Sequence, residues 1–136
     1  MTEPRPIAPG LFGNGPHGPS LVVGRCVECG RLHFPAGPAC PYCSAAPCVA
    51  GEVGPAGRLC LFTVVSNRPP GYPGPLPYGF GVVEMDGGLR VITRLTESRL
   101  DRLRPGLPMR LVVEPLFTDD AGRPVLAWAF APEPTA

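Results

Sequence analysis

Four cysteines fall into two Cys-x-x-Cys pairs, Cys26/Cys29 and Cys40/Cys43, with ten residues between the pairs. A Cys-x-x-Cys turn brings two thiolates to one ion, and Gly30 directly after the first pair relieves its backbone. Two such knuckles offer four sulfurs in a tetrahedron, the arrangement that suits Zn²⁺. The ten-residue gap is slightly shorter than the usual spacing but suffices for a two-stranded ribbon. Four protein ligands leave no position for water or substrate, so zinc held there is structural. The same sulfur set also serves a rubredoxin-type iron, and two disulfides are a third reading. Ligand softness and a cytoplasmic setting favour zinc, with iron as the serious rival because the same sulfur tetrahedron serves both metals.

The other two cysteines lie outside this pattern. Cys60 falls in a strand, where a buried apolar thiol is expected, and Cys48 reads as a stray exposed thiol. His33 sits between the knuckles in Arg31-Leu32-His33-Phe34-Pro35. The metal site does not need a fifth ligand, so His33 is expected at the surface or partly packed. His17, the only other histidine, lies in a proline-rich stretch.

The elements around these residues can be read from composition and periodicity. The chain has 136 residues, among them 21 prolines and 18 glycines. Residues 1–19 carry five of the prolines and read as an arm or tail, with Leu11 and Phe12 as its bulky apolar pair; proline argues against a helix there. Residues 20–50 form the cysteine module. From residue 51 to 132 short β-rich runs alternate with turns, and five strands are expected at 58–66, 79–86, 89–96, 108–117 and 124–131. Asp86-Gly87-Gly88 marks a hairpin. Residues 97–107, with Leu100 and Leu103 at helical spacing, suggest a short helix or turn between the third and fourth strands. Residues 133–136 form a tail. The expected fold is mainly β: an N-terminal rubredoxin-like zinc ribbon followed by a five-stranded OB-fold barrel, with an SH3-like barrel as the nearest competitor.

Net charge is +1, and all twelve basic residues are arginine. Such a chain lacks the footprint of a protein that binds many phosphates, and it has no polybasic membrane segment. No apolar run approaches the length of a bilayer span, and no secretory pattern opens the sequence, so the cytoplasm is expected. Ser66 and Ser98 lack a nucleophile-elbow setting, and no glycine-rich phosphate loop precedes a helix. Glu84, Asp86, Glu97 and Asp101 read as solvated charges. No catalytic constellation emerges.

The run Gly24-Arg25-Cys26-x-x-Cys29-Gly30-Arg31-Leu32-His33-Phe34-Pro35, then Cys40-Pro41-Tyr42-Cys43, resembles the zinc-ribbon plus OB-fold family associated with acyl-CoA enzymes, the domain of unknown function 35. Phe62-Thr63-Val64-Val65, Pro77-Tyr78-Gly79 and Ala129-Phe130-Ala131-Pro132 carry the resemblance into the barrel, over residues 20 to 132. It implies a non-catalytic accessory subunit that scaffolds a thiolase-fold enzyme or steroid side-chain aldolase and helps hold its acyl-CoA. The proline-laden arm stands where many relatives have a helix. Under that reading the loop from Asn67 to Tyr78, five of whose twelve residues are proline, is a contact surface. Arg31 and Arg68 are the candidate cations for CoA phosphates, and Tyr72 and Tyr78 the candidate flat surfaces for adenine. The alternatives are a nucleic-acid-binding ribbon and OB module, with Phe62, Tyr78, Phe80 and Trp128 as stacking residues, and a rubredoxin-like electron carrier.

Overall fold

The computed structural model describes residues 3–134, and apart from two short 3₁₀ turns its regular elements are strands. Ten are present: β1 (Arg5–Pro6), β2 (Phe12–Gly15), β3 (Gly18–Cys26), β4 (Leu32–His33), β5 (Cys48–Val53), β6 (Ala56–Val65), β7 (Tyr78–Met85), β8 (Arg90–Leu95), β9 (Pro108–Thr118) and β10 (Pro124–Pro132). The last five are the strands expected from the alternating runs, within two residues at each end.

β6, β7 and β8 form an antiparallel meander. β8 then meets β10 in parallel at Leu95 and Phe130, β10 pairs antiparallel with β9, and β9 returns to β6. The sheet therefore closes on itself in the order of an OB barrel, which removes the free edges an open sheet would carry. Gly87 and Gly88 have positive φ in the turn between β7 and β8, a conformation that an L side chain would strain. The short helix or turn expected at 97–107 is a single 3₁₀ turn, Leu100–Arg102. Leu103 and Leu107 drop into the barrel while Leu100 stays exposed, so no continuous helical face exists to bury.

The second sheet is organised on β3, with β2 and β4 along one edge and β5 along the other. This frame was hidden in the sequence by the cysteine pattern overlying it. Leu21 and Val23 on β3 join the same apolar cluster as Leu59, Val83, Met109, Leu111 and Phe130 of the barrel. Ribbon and barrel thus share one core. The proline-rich segment adds β2 to the ribbon sheet and β1 to the barrel, where Arg5 and Pro6 lie parallel to Val125 and Leu126. Among the described residues, no helix is long and apolar enough to cross a membrane.

Candidate metal centre and aromatic loop

The two knuckles have matching backbones. After the first, the Gly30 amide donates to the Cys26 carbonyl at 3.0 Å; after the second, the Ser44 amide donates to the Cys40 carbonyl at 2.9 Å. Gly30 and Ser44 both adopt positive φ, 76° and 67°. The turns aim amides at sulfur: Glu28 and Cys29 donate to Cys26 Sγ, and Tyr42 to Cys40 Sγ, each at 3.4 Å.

The four thiols of Cys26, Cys29, Cys40 and Cys43 lie within 4.8 Å of one another. Cys26 Sγ is 3.4 Å from Cys43 Sγ, and Cys29 Sγ is 3.7 Å from Cys40 Sγ. Zn–S bonds of about 2.3 Å place tetrahedral sulfurs about 3.8 Å apart, so the donor set fits zinc with little adjustment. The amides of Cys29 and Glu28 draw the Cys26 thiol down to about 6, against desolvation. At Cys43 the Ala45 amide favours the thiolate, but the neighbouring sulfur of Cys26, burial and the sulfurs of Cys40 and Cys29 override it and push the thiol up to about 12. Four thiolates cannot coexist at this spacing without a cation to compensate them.

His33 is buried, at 5% exposure, deeper than the surface or partly packed position expected. Its Nε2 accepts the Gly37 amide at 3.2 Å, and the ring fills the space left by the missing side chain of Gly24 on the paired strand. It is a packing residue beside the knuckles rather than a ligand. Cys48 and Cys60 are both half-buried, so neither is the freely exposed or fully buried thiol expected. Cys60 marks a β-bulge in β6, where the register against β7 shifts between Leu59 and Leu61.

The proline-rich loop is folded on itself. Arg68 Nη1 donates to the carbonyls of Tyr72 and Gly74 at 2.9 and 2.8 Å, and its guanidinium lies 5.8 Å from the Tyr72 ring centroid. The Tyr72 hydroxyl donates to the Pro75 carbonyl at 2.9 Å. Tyr72 and Tyr78 pack at 4.7 Å between centroids, and Tyr78 meets Phe80 edge-on at 6.5 Å. The structure thus brings Arg68, Tyr72 and Tyr78 together but keeps Arg31 apart, stacked over Tyr42 of the second knuckle at 5.0 Å. One Arg68 nitrogen is committed to the loop's own carbonyls, a role the sequence could not reveal. Of the residues considered for base stacking, Trp128 packs against Phe34 of the ribbon, which leaves little of it to stack.

A surface the sequence reading missed lies beside this loop. Leu61, Phe80 and Ile92 are exposed at 66%, 38% and 67%. With Phe62, Thr63, Gly81 and Val82 they line a shallow apolar groove of about 280 Å³ on the outside of β6, β7 and β8. The bulge at Cys60 creates it. Because side chains alternate along a strand, one extra residue reverses the phase, so Leu59 points into the core and Leu61 points out.

Comparison with known proteins agrees with this architecture. Residues 19–47 match the family described as the ChsH2 rubredoxin-like zinc ribbon domain, and residues 51–114 the ChsH2 C-terminal OB-fold domain. A "DUF35 domain-containing scaffold protein" of Pyrococcus furiosus is 27% identical over 113 residues, 82% of each chain. A "probable enoyl-CoA hydratase alpha subunit" of Thermomonospora curvata is 32% identical over 91 residues, 67% of this chain. The aligned part spans 28% of that longer relative. Among solved structures, a chain of the "Ltp2-ChsH2(DUF35) aldolase" superposes with a TM-score of 0.64 at 28% identity, covering 82% of this chain and 84% of that one.

Proposed function

The chain belongs to the family that joins a ChsH2-type rubredoxin-like zinc ribbon to an OB-fold barrel, and from that premise we propose that it is a non-catalytic accessory subunit of an acyl-CoA enzyme. Its partner would be a thiolase-fold or aldolase catalytic subunit, in a hetero-oligomer. The observation that carries this reading is the apolar row on the barrel's outer face, Leu61 and Ile92 two-thirds exposed with Phe80 beside them. A small β domain places polar residues on its solvent face; an uncovered apolar row there is what a partner would bury.

In this role the chain contributes shape rather than chemistry. The four-cysteine site would hold structural Zn²⁺ and fix the ribbon, and the shared core fixes the ribbon on the barrel. The partner supplies the reacting groups. Arg68 holds the proline-rich loop in a set conformation, so that the Tyr72–Tyr78 pair would present one wall of the acyl-CoA site, with adenine or the pantetheine arm against the rings. Arg31 on the ribbon would face a CoA phosphate or an acidic partner residue. The thiol-rich site presumes a reducing compartment such as the cytoplasm.

The test is purification of the tagged chain from its native lysate, with mass spectrometry of whatever co-elutes. A thiolase-fold or hydratase protein in fixed stoichiometry, lost on Leu61→Glu or Ile92→Arg, is the expected result. Recovery of the chain alone or with nucleic acid would overturn the reading.

A further inference from the structure

Cys48 is the one cysteine beside the metal centre that the four-sulfur set does not use, and its placement is specific. It lies directly opposite Cys26 in the antiparallel pairing of β3 and β5. The Cys26 amide donates instead to the Arg31 carbonyl, at 3.0 Å, and the Cys48 amide to the Pro38 carbonyl, at 3.1 Å. The two therefore form a non-hydrogen-bonded pair, the kind in which opposed side chains share one face and Cα atoms are about 4.5 Å apart. That separation falls inside the range a disulfide can span, about 4.4–6.8 Å. The Cys48 thiol points toward the Ala45 carbonyl at 4.0 Å, and burial, with the sulfurs of Cys26 and Cys40 next, holds it above the ordinary thiol value, so the case for the pair rests on its cross-strand register. Cys48 is half-buried whereas Cys26 is sealed at 1% exposure.

We propose that Cys48 is a redox-sensitive modification site, which on oxidation by peroxide forms a cross-strand disulfide with Cys26 and withdraws that sulfur from the metal ligand set. Peroxide oxidises the partly exposed Cys48 thiol to a sulfenic acid and is itself reduced to water. The Cys26 sulfur attacks the Cys48 sulfur; the S–S bond forms, the S–O bond breaks, and the departing hydroxide takes a proton to leave as a second water. Two electrons pass from the sulfur pair to one peroxide. Cys29, Cys40 and Cys43 remain, a three-sulfur set that holds zinc less firmly, so ribbon folding becomes coupled to oxidant. A thiol reductant reverses the step by exchange.

The experiment treats the zinc-loaded full chain with hydrogen peroxide, follows released zinc with a coloured chelator, and maps disulfides by non-reducing peptide mass spectrometry. The expected result is a Cys26–Cys48 linked peptide that grows in step with zinc release, both reversed by reductant with zinc present. In Cys48→Ser, which leaves all four ligands in place, release should slow about tenfold or more, because the intramolecular partner is gone. Equal release from Cys48→Ser, or linkages confined to the four ligand cysteines in the unsubstituted chain, would overturn the proposal. The peptide map needs no variant, so it decides the matter even if the substituted chain folds poorly.

Discussion

The rings of Phe34 and Trp128 meet edge to face, 5.3 Å between centroids and 83° between planes. Phe34 follows β4 in the ribbon and Trp128 lies on β10 of the barrel, so this pair ties the metal-bearing module to the barrel wall. It adds to the burial of Leu21 and Val23 in the barrel core. The ribbon is consequently a fixed part of the fold.

Removing one ring should be felt by the whole domain. Full burial would make a Phe→Ala change cost roughly 3–5 kcal/mol; Phe34 is only half-buried, so Phe34→Ala is expected to cost about 2–3 kcal/mol including the lost ring pair. Phe34→Leu should recover more than half. Urea unfolding with zinc present in both proteins measures this. A single shared transition is expected, since the two modules have one core.

Metal removal should report the same coupling from the other side. Stripping zinc with a strong chelator, or replacing Cys26 by Ser, is expected to unfold the ribbon and lower the melting temperature of the barrel as well, because β3 carries both Cys26 and the core residues Leu21 and Val23. One zinc per chain and a colourless protein are the expected composition, by metal analysis and visible absorbance. Acid should weaken metal binding, as protons compete for the four thiolates.

Gly24 and His33 give a test of packing beside the centre. A Cβ on Gly24 would run into the His33 imidazole, so Gly24→Ala should destabilise by about 1–3 kcal/mol through overpacking. His33→Ala alone opens a cavity. The double variant should cost clearly less than the sum of the two, because the small side chain at 33 makes room for the methyl at 24. Additive costs in a double-mutant cycle would mean that the two residues are not packed as described.

How much of this was legible beforehand follows from what carries each feature. The knuckles are written in local spacing, and the five barrel strands in alternation broken by glycine turns, so both could be read directly. The frame strand β3 could not, because Leu21-Val22-Val23 is a short apolar run with no period of its own and its long partner β5 lies beyond the second knuckle in sequence. Nor could the bulge at Cys60, which decides that Leu61 is surface and not core; a register shift is a property of the pair of strands. The loop residues Arg68, Tyr72 and Tyr78 were visible as a set, but the internal duty of Arg68 depends on the path of the loop, which only the fold defines.

Beside its strand pairing with β10, the start of the proline-rich arm is held by an ion pair that should make it pH-sensitive. Arg5 Nε donates to Asp119 Oδ2 at 2.7 Å, while Asp119 Oδ1 accepts the Ala121 and Arg123 amides at 3.0 and 2.9 Å. Arg5 first and these amides next hold the Asp119 carboxyl below its ordinary value. A depressed carboxyl stabilises fully above its unfolded value, near 3.9, and the contribution fades as pH falls through the lower folded value. Hydrogen exchange at the Ile7 amide, which donates to the Leu126 carbonyl at 2.8 Å, should therefore quicken relative to the core as the medium becomes strongly acidic. Arg5→Ala should give the faster exchange already at neutral pH, with barrel amides little changed.

The aromatic loop supplies the sharpest separation between shape and stability. Arg68 is exposed, and its two bonds end on loop carbonyls of Tyr72 and Gly74. Arg68→Ala should thus leave global stability within about 1 kcal/mol yet open residues 67–78 to proteolysis. Gly74 is buried against Tyr72 and Leu116, with no room for a methyl, so Gly74→Ala should displace the same loop by a different route. If the loop forms one wall of an acyl-CoA site, both variants in the assembled complex should raise the apparent KM for the thioester while the partner's kcat holds. Should KM stay unchanged although proteolysis shows the loop open, the Tyr72–Tyr78 pair is a protein contact or plain surface, and the substrate lies elsewhere.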